Sequence, residues 1–502
     1  MFYLISLFSI LFFILAWRRL DWAVAFLIAA LPAYLIRFNI FDLPSTLLEV
    51  MIWAVFLVWL IKNFSQIKNN FLENFKKGSE KIKVRYPFDW EIVLMLLVAL
   101  VAVGVAGFSP ASLGIWKAYF FEPALFFIVV LNVMKNPPAP LVRGVELVLW
   151  PLAISALAVS LLAIYQKITG QLIGNALWAA ESTRRAVSFF GYPNAVGLYL
   201  GPIVMVMAGW LTSVIARERQ RPKQSLVNSR VREIATLPSV ARNDMIAIIF
   251  IGLAIIASVL SIYFAKSKGA LLGVAAGLIV FGLMAGKKIR LATVAVILIV
   301  AASILALGPA RNLALDTVTF KTLSGQIRLA GWQDSWNMLK DGRLITGAGL
   351  ASYQAAVAPY HAEGLFIKDP QDPDAQRKLV FNATYREAHW QPLEIYLYPH
   401  NILLNFWSEI GLAGLLLFVW VILKYFWLGI SNFPSFAKAT EDKQFSTNKF
   451  INIGLIGAMI VIIAHGVVDV PYFKNDLAVL FWLLVAMMSS ITINLNIWKT
   501  KN

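Results

Sequence analysis

Residues 245–307 read MIAIIFIGLAIIASVLSIYFAKSKGALLGVAAGLIVFGLMAGKKIRLATVAVILIVAASILAL. Three long apolar runs are parted only by Lys266-Ser267-Lys268-Gly269 and by Gly286-Lys287-Lys288-Ile289-Arg290. Each run approaches the ~17–25 residues that carry a helix across a bilayer. In lipid every backbone amide must be paired internally, so a spanning segment is a helix or part of a closed barrel. The runs are continuous and show no period-2 alternation, which selects the helical solution.

The same pattern fills the chain. Of 502 residues, 59% are hydrophobic and 14% charged, and mean hydropathy is +0.72. The spacing predicts about 13 spans, near 2–17, 22–36, 47–61, 92–108, 113–134, 145–165 and 195–215, then 245–264, 270–284, 291–307, 403–426, 451–468 and 477–493. The fold class expected is all-α, a polytopic transmembrane bundle with one large extracytoplasmic loop containing short amphipathic helices. Four regions follow: N-terminal helices (1–165), central helices with an Arg-bearing outer loop (166–307), the large loop (308–399) and C-terminal helices (400–502).

A net charge of +17 raises the question of nucleic acid. The Lys and Arg residues instead sit between apolar runs, concentrated at 61–86 and 216–244, with smaller groups at Arg18/Arg19, Lys135/Arg143, Lys287–Arg290 and Lys438–Lys449. All fall on one side if the N-terminus is outside, as the positive-inside rule requires. No nucleic-acid partner is expected, and the localisation expected is a bacterial inner membrane. The absence of Cys excludes disulfides, thiol nucleophiles and Cys metal sites. The run from Phe2 lacks a basic flank and a small-residue cleavage site, so it reads as a retained helix.

The opposite face then receives 166–194, the turn at 266–269 and the segment 308–399. Three clusters lie there. The first is Arg184-Arg185 ahead of Phe190-Gly191-Tyr192-Pro193-Asn194; a paired Arg on the outer face is unexpected, though snorkelling to headgroups would also explain it. The second is Arg328 with Trp332 and Trp336 at helical intervals over 326–340, then Gly347-Ala348-Gly349 and a second helix expected at 350–357. The third is His400-Asn401 before a span that carries Glu409 and Gly411. Histidine exchanges protons near neutrality, yet a single His at a membrane boundary is commonly interfacial. Asp369, Asp372 and Asp374 are broken up by Pro370 and Pro373 into a solvated turn, and no His spacing matches a metal site. No metal and no cofactor are expected. Glu122 and Asp469 are ionisable groups among apolar runs, hence functional or internally paired; for Asp469 the plainer reading is a contact with His465 one helical turn earlier.

Taken in order, these elements resemble the O-antigen ligase family, which includes O-antigen polymerases and protein O-oligosaccharyltransferases. The resemblance is carried by Arg185 before Phe190-Gly191 and Pro193-Asn194, Ser267-Lys268-Gly269, Arg328-x-x-x-Trp332 with Gly347 and Gly349, and His400-Asn401 with Glu409 and Gly411-Leu412, over roughly 180–430, with a weaker extension to Asp469. Lys268 stands where the family usually has Arg. The resemblance implies a metal-independent, inverting glycosyltransferase. Its donor would be an undecaprenyl-diphosphate-linked glycan and its acceptor a lipid, glycan or protein. His400 would be the base, Arg328 and Arg185 the charge-neutralising groups, and Arg184, Lys268, Asn194, Trp332, Asn401 and Glu409 substrate contacts. A transporter would instead place broken helices and polar groups at the bilayer midplane and show internal repeats.

Overall fold

The computed structural model describes residues 2–40, 43–76, 86–135, 142–219, 237–366, 372–433 and 443–501. Asp369, Pro370 and many of the basic loop residues fall outside them. The predicted spans fall on helix, except that 22–36 does so only in its first half: the α-helix there ends at Ala29, and Leu31–Leu35 is a 3₁₀ turn. The order is α1 (Phe2–Arg18), α2 (Leu20–Ala29), a hairpin of β1 (Arg37–Ile40) and β2 (Leu43–Thr46), α3 (Leu47–Lys76), α4 (Asp89–Val105), α5 (Pro110–Trp116), α6 (Glu122–Lys135) and α7 (Val142–Thr169). Next come α8 (Ala176–Ala179), α9 (Pro193–Arg219), α10 (Leu237–Phe264), α11 (Lys268–Ala285) and α12 (Lys287–Ala306). Among the described residues, 10 helices are long and apolar enough to cross a membrane; Tyr3–Arg18 and Leu20–Ala29 are shorter apolar ones. The protein is an all-α polytopic helical bundle.

Local chemistry sets the interruptions. Pro123 cannot donate to the helix ladder, and the turn Lys117–Phe121 just before it is π-helical, joining α5 to α6. Glycine sets the closest helix contacts, since small residues let backbones approach in lipid. A Cβ on Gly209 of α9 would lie 2.6 Å from the Phe450 carbonyl oxygen.

The segment after α12 is a cap on one end of the bundle: α13 (Gly308–Val318), α14 (Leu323–Lys340), α15 (Tyr353–Val357), a two-stranded pairing of β3 (Gly364–Phe366) with β4 (Trp390–Pro392), and α16 (Ala375–Phe381) and α17 (Ala383–His389) between the strands. It is followed by α18 (Ile402–Ser431), α19 (Lys443–Gly466) and α20 (Asn475–Lys501). Met338, Leu339, Tyr353 and Val357 form its own small core.

Two expectations change here. The helix expected at 350–357 is only Tyr353–Val357, because Gly347, Gly349 and Ala351 hold left-handed turns before it (φ +67, +89 and +62). Both strand pairs are additions; their strands are too short to show a period. α14 forms where expected, with Thr322 capping its first turn through Gly325 N (3.2 Å).

Candidate active site

Three helix N-termini and one interhelical turn meet at the capped end of the bundle. α9 starts at Pro193-Asn194, α11 at Ser267-Lys268, α18 behind Asn401, and residues 467–474 join α19 to α20. The positive ends of three helix dipoles therefore point to one region, which suits an anion.

Asp469 is the hub. It is 1% exposed. Its Oδ2 accepts from Asn194 Nδ2 (3.0 Å), and Oδ1 accepts from the Val470 amide (2.9 Å). His400 Nδ1 stands 3.6 Å from Oδ1, ion-pair range rather than a hydrogen bond. Burial pushes this carboxyl up, and the facing His400 and His465 imidazoles with the Val470 amide more than offset that, holding it at about 2. The expected His465–Asp469 contact persists as a charge interaction but not on one helix face: α19 ends at Gly466, and the Asp469 carboxylate makes its hydrogen bond to Asn194 and its closest approach to His400.

Both expected guanidinium groups attach to this hub. Arg185 donates through Nη2 to Asn194 Oδ1 (3.3 Å) and through Nε to the Ala265 carbonyl (2.9 Å). Arg328 donates through Nε to the Val468 carbonyl (2.7 Å) and through Nη1 to the Ser324 carbonyl (3.0 Å) and hydroxyl. Burial lowers the pKa of both, and for Arg328 the Asp469 charge partly restores it. A cation that is partly desolvated and pinned by carbonyls gains strongly when an anion arrives.

His400 has a left-handed backbone (φ +49) and stands edge-on between Tyr396 and Tyr398, at centroid distances of 4.9 and 5.0 Å. It lines a narrow cleft with Arg328, Tyr396, Tyr398 and Asp334. At the far end of that cleft His361 is tied down by both ring nitrogens, Nδ1 at 3.4 Å from Asp334 and Nε2 at 3.1 Å from the Leu393 carbonyl.

The remaining expected residues divide. Lys268 is exposed at the start of α11, and Gly269 beside it packs on His465 so closely that a Cβ would fall 2.6 Å from the ring. Trp332 packs edge-on against Phe320 (5.2 Å), with its buried Nε1 unpaired among the described residues. Arg184 turns away: its guanidinium donates to the Lys167 and Ile168 carbonyls at the end of α7 and to the Ala179 carbonyl of α8. Asn401 caps α18 through Leu403 and Leu404 N (both 3.0 Å) and donates to the Val467 carbonyl (3.1 Å). Glu409 accepts from Ala351 N (2.7 Å) within the bundle. These three side chains hold backbone.

Sequence reasoning singled out Asp469 as a buried charge and left it outside the site. Also unforeseen was Lys474, whose ammonium lies 3.9 Å over the Tyr192 ring and is lowered by burial to about 8.

Fold and site together describe a multi-pass membrane protein whose cations, one imidazole and one carboxylate converge at a single end. Residues 253–419, about a third of the chain, match the family model described as O-antigen ligase. That segment carries Lys268, Arg328, Trp332, His400, Asn401 and Glu409, and it is similar to the O-antigen ligase family, whose members are membrane glycosyltransferase-like enzymes. No curated protein matches the chain.

Proposed function

We propose that this protein transfers a glycan from a polyprenyl-diphosphate donor of the undecaprenyl type to an acceptor hydroxyl, at the extracytoplasmic face of a bacterial inner membrane. The observation that carries the reading is the Asp469 hub, which ties the imidazole to one guanidinium through Asn194 and lies next to the carbonyl that holds the other.

With Nδ1 turned to Asp469, His400 presents Nε2 to the cleft. Nε2 takes the acceptor hydroxyl proton while the hydroxyl oxygen attacks the anomeric carbon. The bond from that carbon to the phosphate oxygen breaks, and the diphosphate leaves with the electron pair. Asp469 stabilises the imidazolium that forms. Arg328 Nη2 and Arg185 Nη1 lie outside the hydrogen bonds described above and face the growing negative charge, with Lys268 assisting. One displacement inverts the anomeric centre. Two fixed guanidinium groups supply the positive charge that other glycosyltransferases take from a divalent ion, so the reaction runs without metal.

The test is transfer by the purified full chain from a lipid-linked donor, in chelator. Activity should persist. His400→Ala should lower turnover about 10²–10⁴-fold with donor affinity kept, whereas Arg328→Ala and Arg185→Ala should lower both, because they hold charge already present in the ground state. His361→Ala should be mild. Rescue of a chelated, inactive enzyme by one divalent ion would overturn the mechanism. An essential His361 with a dispensable His400 would overturn the site.

A further inference from the structure

The opposite end of the bundle holds a second cavity, of about 330 Å³, between α7, α9 and α10. Its walls include Glu146, Trp150, Trp210, Val214, Arg217 and Ile246, and a smaller recess beside it adds Ser213 and Asn448. Asn194 of the candidate active site and Arg217 sit near the two ends of α9, about 35 Å apart at 1.5 Å per residue.

Two N–H donors there are unsatisfied among the described residues. Trp210 is 2% exposed and its indole Nε1 has no acceptor; Arg217 Nε is buried and equally unpaired. Buried donors almost always find a partner, and an adjoining cavity of this size can hold one. Arg217 Nη1 reaches toward Glu146 at 3.6 Å, and that approach does not satisfy Nε. The Trp150 and Trp210 rings meet edge-to-face at 5.0 Å and 83°, forming a rigid apolar wall. Ile246 on the α10 side is 53% exposed in a membrane-spanning helix, so the cavity opens toward lipid. An acceptor that is anionic, sits at the membrane boundary and continues into an apolar body meets all of these demands.

We propose that this cavity binds the phosphodiester headgroup of an acidic lipid from the leaflet opposite the candidate active site. Arg217 Nε and Trp210 Nε1 donate to its phosphate oxygens. The Glu146 carboxylate on the same wall disfavours a dianionic phosphomonoester, so a singly charged phosphodiester lipid such as phosphatidylglycerol fits best. The site is independent of the transfer chemistry.

Native mass spectrometry of the full chain, released from detergent with equimolar dioleoyl phosphatidylglycerol and dioleoyl phosphatidylcholine, tests it. Phosphatidylglycerol should be retained selectively. Arg217→Gln should weaken retention about tenfold, and Trp210→Phe, which keeps the ring and removes only the N–H, about threefold. If Arg217→Gln fails to fold, Trp210→Phe still decides. Equal retention of the two lipids, or retention untouched by both variants, would overturn the proposal. Displacement of the lipid by excess inorganic phosphate would overturn it in favour of a free anion.

Discussion

His400 illustrates what one residue can and cannot show from sequence alone. As a histidine ahead of a span it had a bland explanation; in the fold its Nδ1 faces a buried carboxylate and its ring is set by two tyrosines. In the proposed reaction Asp469 is the positioning residue. Asp469→Asn should leave donor binding largely unchanged and cut turnover by about 10²–10⁴-fold, as loss of an imidazole-orienting carboxylate does elsewhere; a loss confined to donor affinity would count against the role. Stability gives a second reading. The folded carboxyl sits at about 2, below its ordinary value. Its stabilising contribution is therefore complete above about pH 4 and lost as pH falls toward 2. The Tm gap between the native chain and Asp469→Asn should narrow as pH falls from about 4 toward 2. Residue types and their order pointed to Arg185, Arg328 and His400. They singled out Asp469 as a buried charge but did not place it in the site, because its Asn194 partner lies 275 residues away. Nor did they separate Arg185 from its neighbour Arg184, because which of two adjacent side chains meets backbone carbonyls is decided by a turn.

At the scale of elements, the glycine motifs have a mechanical explanation. Gly411 interrupts α18 with φ +74 and ψ −179, a conformation essentially restricted to glycine. The break admits the turn that follows α14: Leu412 N bonds to the Ile345 carbonyl (2.9 Å), Ala348 N to the Ser408 carbonyl (2.7 Å), and Glu409 holds Ala351 N. The cap is thereby fastened to a span directly below His400. A Cβ at Gly411 would fall 2.4 Å from the Ile345 carbonyl oxygen. Gly411→Ala should cost about 3 kcal/mol and expose the 341–350 turn to protease with the bundle intact. Unchanged protection would mean the fastening lies elsewhere. Apolar length predicted the helices well because bilayer thickness fixes it. The kink stayed hidden because Gly411 is also an ordinary small residue in a membrane helix.

At the scale of the molecule, charge placement along the sequence assigned the capped end to the outside. The chain has no Cys, so single cysteines report cleanly. One at Asp372 should react with an impermeant maleimide in intact cells, and one at Lys287, between α11 and α12, should not; the reverse pattern would invert the orientation and move the proposed chemistry to the other face. One span differs from the rest. α12 has no buried residue along its crossing window, whereas 94% of the α20 window is buried. Helices in lipid hold together by packing and hydrogen bonds rather than by a hydrophobic drive, so α12 is kept in place chiefly by the solvent around it. Its fate during purification follows. A mild detergent that preserves an annulus should leave it seated, while a harsh short-chain detergent should release it first, with new cleavage near Lys287 and Leu307 before the melting transition of the remaining bundle shifts. Choice of solubiliser would then decide whether the cap that begins at α13 stays anchored through α12 or hangs on the Gly411 and Arg328–Val468 contacts without it.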